Sequence, residues 1–150
     1  MNQKRRDALR LMAVIGLMAS AGLITPAQAA EWNKQAFEGK SMDEVLKALG
    51  GGAAGQSASV TLTTPDIAEN GAVVPVSVST ALNAQEIAIL VEKNPNTLAA
   101  HFSLPVGTES FIAARVKMGQ TSNVIALVKA DGQWFMATRE VKVTIGGCGG

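Results

Sequence analysis

The chain closes on Gly146-Gly147-Cys148-Gly149-Gly150, and Cys148 is the only thiol among its 150 residues. Four glycines bring no side chains to pack and lose much backbone entropy on ordering. The pentapeptide is therefore expected to be a flexible arm reaching into solvent, with Cys148 near its tip. At about 3.3–3.6 Å per residue, Gly146 and Gly147 let the thiol extend roughly 10 Å from the preceding strand. Only Cys148 adds bulk, so the arm is thin enough for a cleft that a folded body could not enter. A lone Cys is ordinarily a small buried hydrophobe, but nothing beside Cys148 could bury it. An ordinary thiol titrates near 8.5, so only a few per cent is thiolate at neutral pH. The arm holds no cation and no general base, and the Gly150 carboxylate disfavours a second negative charge nearby. Activation has to come from another protein's pocket. This is the chemistry of a covalent carrier presented to enzymes, not of a catalyst.

The rest of the composition narrows the alternatives. One Cys forms no intramolecular disulfide, CxxC pair or thiolate zinc site. One His, His101, excludes His-rich metal clusters, and with no second His to complete a site it reads as a surface or interface residue. A net charge of +1 shows none of the basic excess of a nucleic-acid binder. No cofactor is expected to be bound, and no metal-ligand set is visible.

Residues 1–29 read as an export signal. Lys4, Arg5, Arg6 and Arg10 precede an apolar stretch from Leu11 to Ile24, and Pro26 with Ala27-Gln28-Ala29 supplies the cleavage pattern. That stretch of about 14 residues is shorter than the roughly 20 that span a bilayer, so no membrane association is expected after cleavage. Arg5-Arg6, with Leu9 and Arg10 behind, resembles a twin-arginine signal, although Ala8 stands where a bulky apolar residue is favoured. Four of the 13 basic and one of the 12 acidic residues lie in this leader. The 9 and 11 that remain give residues 30–150 a net charge of −2 and point to a periplasmic protein.

A single carrier domain over 30–145 must position the arm at 146–150. Ser41-Met42-Asp43-Glu44 has the form of a capping box. Met42, Val45, Leu46 and Leu49 fall on one helical stripe that Gly50-Gly51-Gly52 ends, and Trp32 to Phe37 form a preceding helical turn. Gly50 to Ser59 reads as a flexible connector. Strands are expected near 59–64, 72–79, 86–92, 98–104, 109–118, 122–130 and 133–145. Val74, Val76 and Val78 share one face of the second, and Val141, Val143 and Ile145 mark the last. Turn chemistry separates them at Glu69-Asn70-Gly71, Asn94-Pro95-Asn96, Gly119-Gln120 and Asp131-Gly132. Asp-Gly between two apolar runs is a strong hairpin signal. Pro75 cannot donate to a ladder, which places it at an edge or bulge. Met42, Met118 and Met136 sit at core periods, and Trp32 and Trp134 read as packing residues. The expected fold is mostly β: an immunoglobulin-like antiparallel β-sandwich of about seven strands with a short N-terminal helical segment.

The terminal Gly-Gly-Cys-Gly-Gly behind an exported β-rich domain resembles the SoxY family, sulfur carriers of the periplasmic thiosulfate-oxidising Sox system. Pro65-Asp66-Ile67-Ala68-Glu69-Asn70-Gly71 through Val74-Pro75-Val76, and Asn94-Pro95-Asn96 through Ala100-His101-Phe102, resemble that family's core. The resemblance implies that Cys148 carries sulfur intermediates as an S-thiosulfonate and then a persulfide. It implies a heterodimer with SoxZ, and service to a c-type haem conjugating enzyme, a sulfate-releasing hydrolase and a molybdenum–haem dehydrogenase. Air oxidation would join two chains through Cys148. Two rivals remain at this level. A ubiquitin-like carrier would use a Gly-Gly carboxylate and cytoplasmic ATP, against the export signal. An inert exported sandwich would serve as an interaction module, with Cys148 incidental.

Overall fold

The computed structural model describes residues 33–144. The expected export signal at 1–29, Trp32, Ile145 and the expected arm with Cys148 lie outside the described residues. Among the described residues two short helices come first, α1 (Lys34–Glu38) and α2 (Met42–Ala48). Asn33 caps α1 by accepting from the Ala36 amide at 3.1 Å, and its Nδ2 donates to the Ala48 carbonyl at 2.8 Å, tying the two helices together. Ser41 caps α2 by accepting from the Glu44 amide, as the capping-box reading requires. Glu44 reaches back to the Lys40 amide at 2.7 Å. At the other end Gly51 N–H bonds Leu46 C=O at 2.8 Å and Gly50 N–H bonds Lys47 C=O at 3.1 Å, the paired contacts of a Schellman stop. Gly50 takes φ +80°, where a side chain is disfavoured. A Cβ on Gly51 would lie 2.6 Å from the Trp134 indole, so the ring's closeness fixes that glycine too.

Nine strands follow: β1 (Ala54–Gln56), β2 (Val60–Thr63), β3 (Ile67–Ala68), β4 (Val74–Thr80), β5 (Ala84–Val91), β6 (Leu98–Ser103), β7 (Phe111–Val116), β8 (Ser122–Ala130) and β9 (Gln133–Val143). They form an immunoglobulin-like β-sandwich. One sheet runs β1-β9-β8-β5-β6 with β3 also on β9; the other runs β2-β4-β7. The Asp131-Gly132 hairpin is as read: both residues have positive φ, and Ala130 pairs with Gln133 across the two-residue turn.

Between the sheets lie Val74, Val76 and Val78 of β4 against Ile87, Ile89 and Val91 of β5 and Val124, Ala126 and Val128 of β8, with Met118 buried among them. The far face of the large sheet is covered as well. Ala88, Leu90, Ile125, Leu127 and Trp134 pack there against Ala36, Val45, Leu46 and Leu49 of the helical lead, with Met42 and Met136 alongside. Burial on both faces accounts for the unbroken apolar runs of β5 and β8. Each fully buried Ile or Leu contributes about 1.5–3 kcal/mol.

Two expectations need correction. The stretch 50–59 is not merely a connector, because Ala54–Gln56 forms β1, parallel to Trp134–Met136 of β9. The sandwich is also not wholly antiparallel, since β3 pairs parallel with Lys142 and Val143. Both strands are too short to show a period of two, and β9 recruits them because its 11 residues leave one flank open. Pro75 sits where expected. β2 pairs only with Ser77–Thr80, so at Pro75 the strand β4 has β7 on one side and no strand on the other.

Candidate functional site

Cys148 and Gly146, Gly147, Gly149 and Gly150 fall outside the described residues, but the root from which they issue does not. At Val141 the chain is completely buried and pairs with Ser122 of β8. Its other flank is held by the segment around β3. Lys142 N–H donates to the Asp66 carbonyl at 3.0 Å, and Thr144 N–H to the Ala68 carbonyl at 3.1 Å. Val143 N–H donates to Thr121 Oγ1 at 3.0 Å. The last strand is therefore clamped from both sides up to its final described residue, and whatever follows leaves from a fixed point.

The surface next to this root is unusual in exposing apolar side chains. Ile67 is 57% exposed and Val73 50%. Both line a shallow groove of about 280 Å³ together with Pro65, Ala68, Asn70 and Pro75. Asp66 in the same segment pairs with Arg139 of β9, Nη2 to Oδ1, at 2.8 Å. The sequence reading missed β3 and this lip. Apolar Ile67 and Val73 standing inside the turn-rich run Asp66–Val73 were the available signal.

His101 is neither isolated nor fully at the surface. On the helix-covered face of the large sheet, Ala88 is opposite His101, Glu86 opposite Lys129, and Lys129 opposite Trp134, which draws a polar row across four strands. His101 Nε2 lies 2.9 Å from Glu86 Oε2, and Lys129 Nζ donates to Glu86 Oε1 at 3.0 Å. The ammonium also stands 5.7 Å from the centroid of the Trp134 ring, within cation–π range. Burial raises the Glu86 carboxyl, yet the hydrogen bonds and charges of Lys129 and His101 outweigh it, so the net shift is below the ordinary value of 4.5. No nucleophile joins this row. Among the described residues no three His, Cys, Asp or Glu side chains come together as a metal site, and no helix is long and apolar enough to cross a membrane.

A β-sandwich with one helix-covered sheet and a last described strand held on both flanks defines a small immunoglobulin-like domain. The family model of the sulfur oxidation protein SoxY matches residues 46–148, a span that includes Cys148, and the chain belongs to the SoxY family. Among solved structures it is similar to the sulfur carrier protein SoxY from Chlorobium limicola f thiosulfatophilum, at 35% identity and TM-score 0.58, over 66% of this chain and 93% of that one. It also shares its fold with a superoxide reductase (neelaredoxin) from Ignicoccus hospitalis, at 15% identity and TM-score 0.51, over 57% of this chain and 80% of the other. No curated protein matches it by sequence.

Proposed function

We propose that this protein is a covalent sulfur carrier in thiosulfate oxidation and that Cys148 is the attachment point. The observation that carries this reading is the family match over residues 46–148, which extends through the only thiol of the chain. The 35% identity to a sulfur carrier supports it. The body acts as a handle, and the protein is a substrate of enzymes rather than an enzyme.

The chemistry follows from the thiol. Cys148–SH and thiosulfate join through a new S–S bond, giving an S-thiosulfonate, one proton and two electrons; a c-type haem partner takes the electrons. Water then cleaves the bond between the outer sulfur and the sulfone, releasing sulfate and one proton and leaving a persulfide, Cys148–S–SH. A molybdenum–haem partner would accept six electrons as three waters oxygenate the outer sulfur to an S-sulfonate, with seven protons released. A second hydrolysis frees sulfate and restores the thiol. Each partner must reach one sulfur atom, and four flanking glycines allow that with little steric cost.

The same reading assigns residues 1–29 to export by the twin-arginine route, 30–145 to the carrier domain and 146–150 to the arm, with the working protein in the periplasm. A SoxZ subunit is the expected companion, and a heterodimer would cover sheet edges otherwise open to pairing.

Intact-mass spectrometry of protein purified from thiosulfate-grown cells tests the assignment. Sulfane-sulfur or thiosulfate adducts should appear on the C-terminal peptide, and a Cys148→Ala strain should lose thiosulfate oxidation. Finding only free thiol, with oxidation intact in the Cys148→Ala strain, would sink the proposal. A Cys148→Ser chain still labelled at Gly150 would point instead to a thiocarboxylate carrier.

A further inference from the structure

An edge strand offers unpaired N–H and C=O groups to any other chain, and folds blunt such edges by shortness, bulges, proline or cover. Most edges of this sandwich are blunted. β1 and β2 have only three and four residues. β6 pairs across an irregularity at Ile89/Leu90, and its start is covered, since the Thr97 amide donates to the Gly39 carbonyl at 3.0 Å. Pro75 stands where β4 has lost its β2 neighbour. Among the described residues β7 has no bulge, no proline and no cover. It runs six residues, Phe111–Val116, in unbroken register with β4 at the end of its sheet.

The register fixes which backbone groups stand open. Thr80 N–H donates to the Ser110 carbonyl at 3.1 Å, and Pro75, which has no N–H, is opposite Arg115. Bonded positions alternate along an antiparallel pair. Ile112, Ala114 and Val116 therefore bond β4, while Phe111, Ala113 and Arg115 turn their backbone groups away from it. At one end the Phe111 amide is taken up by the Glu109 carbonyl at 2.8 Å. At the other, the Asn94 side chain donates to the Lys117 carbonyl at 2.6 Å. Between these stops lies a window, the Phe111 carbonyl with both backbone groups of Ala113 and Arg115. The side chains beside it are largely apolar. Phe111 is 48% exposed, and Ile112 and Ala114 face the core but are only partly buried. On the outer face Ala113 and Arg115 line a groove of about 630 Å³ with Pro75 and Ser77, left where β2 stops at Thr63.

We propose that the β7 edge is a docking surface for a second copy of this chain, the two β7 strands pairing antiparallel about a two-fold axis at Ala113. In this register the window is complementary to itself, as an isologous contact requires. The two Ala113 residues exchange amide and carbonyl bonds. Each Arg115 amide donates to the partner's Phe111 carbonyl, and the committed Phe111 amide is not needed. On the outer face Arg115 lies opposite the partner's Phe111, a cation beside an aromatic ring. Beyond the window Glu109 approaches the partner's Lys117, opposite charges that form no ion pair among the described residues of the single chain. An axis at Ala114 would also align open groups, but it sets the two Arg115 charges on neighbouring positions, where like charges repel. So small a contact gives a dimer in exchange with monomer, not an obligate one. The surface belongs to the folded body and does not rest on the carrier reading.

Sedimentation and amide hydrogen exchange on a Cys148→Ser chain, in which no disulfide can join two copies, test the surface. Monomer and dimer should interconvert with concentration. The Ala113 and Arg115 amides should gain protection as dimer forms, whereas Ile112 and Ala114, bonded to β4, are protected throughout. Ala113→Pro removes only an outward amide and should abolish the dimer while the monomer still unfolds cooperatively. Lys117→Glu tests the register without touching the backbone. It should weaken the dimer several-fold, and adding Glu109→Lys should restore it, which a general surface effect would not do. A chain that stays monomeric at every concentration overturns the proposal. So does a dimer whose Ala113 and Arg115 amides exchange as in the monomer, or one that the charge reversal fails to rescue. Protection of the same two amides by an added SoxZ subunit, without self-association, would replace the second copy as occupant.

Discussion

The two sheets of the sandwich solve the same folding problem with different amounts of cover. The large sheet is enclosed, since β4 and its neighbours cover one face and α1 and α2 the other. The small sheet has a single covered face. Along β4 the residues alternate, with Val74, Val76 and Val78 buried and Pro75, Ser77 and Ser79 turned outward to varying exposure. In β5 the run Ile87-Ala88-Ile89-Leu90-Val91 is completely buried at every position. Cover thus fixes how much of each strand is committed to stability and how much is left for chemistry. The enclosed sheet anchors β9, and with it the root of the arm. The bare face of the small sheet carries Arg115 and the groove beside it.

The difference should appear most strongly in truncation of the cores. Ile89→Ala removes a side chain with no exposure at the centre of the large sheet. It should destabilise the protein by about 2–5 kcal/mol, read as the shift in urea midpoint at constant slope. Ile112→Ala makes the same chemical change on β7, where the side chain is only partly buried against the core. Its cost should sit at or below the low end of that range, about 2 kcal/mol. Equal losses would mean that the small sheet is as tightly enclosed as the large one.

The next effect concerns charge on the enclosed sheet. Glu86 keeps 22% of its side-chain surface and bridges Lys129 and His101. Glu86→Gln preserves the shape and removes the charge, so it should cost about 1.5–3 kcal/mol at neutral pH, the scale of hydrogen bonds to charged groups. The sign of the pH dependence follows from the depressed carboxyl. Its stabilisation is complete above the unfolded value of 4.5 and is lost as the pH falls through the lower folded value. The wild-type advantage over Glu86→Gln should therefore narrow progressively below 4.5 in paired urea titrations. A gap that stays constant on acidification would show that Glu86 acts through packing, not charge.

Legibility in the sequence followed cover in the same way. The half-covered strands announced themselves by period two, and β4 and β7 lie close to the expected 72–79 and 109–118. The hairpin at Asp131-Gly132 and both ends of α2 were visible because turn and cap chemistry is local. What escaped was non-local. Ala54–Gln56 has no apolar alternation and becomes a strand only because β9 lies alongside, and Ile67–Ala68 is too short for any pattern. The Glu86–Lys129 pair spans 43 residues and needs the register of β5 on β8 before it can be seen. At the proposed attachment point the order reverses. The proposed role of Cys148 is read from local sequence alone, because a single thiol set in four glycines suggests its chemistry without any tertiary contact. The groove at Arg115 is not, since it is made by the point at which β2 stops.

The smallest effect bears on how β9 is clamped at the edge where the sheets differ most. Asp66 and Arg139 form a close pair, but Asp66 is 86% exposed and Arg139 47%. Exposed pairs of this kind contribute about 0–1 kcal/mol because water and salt screen them. The backbone bonds from Lys142 to the Asp66 carbonyl and from Thr144 to the Ala68 carbonyl do not depend on either side chain. Arg139→Gln should accordingly shift the urea midpoint by less than about 1 kcal/mol equivalent. It should also leave the exchange protection of the Lys142 and Thr144 amides unchanged. Loss of protection at those two amides, with global stability intact, would show instead that the ion pair holds β3 against β9. The root of the arm would then be tethered by a surface charge, and its firmness would weaken with rising salt.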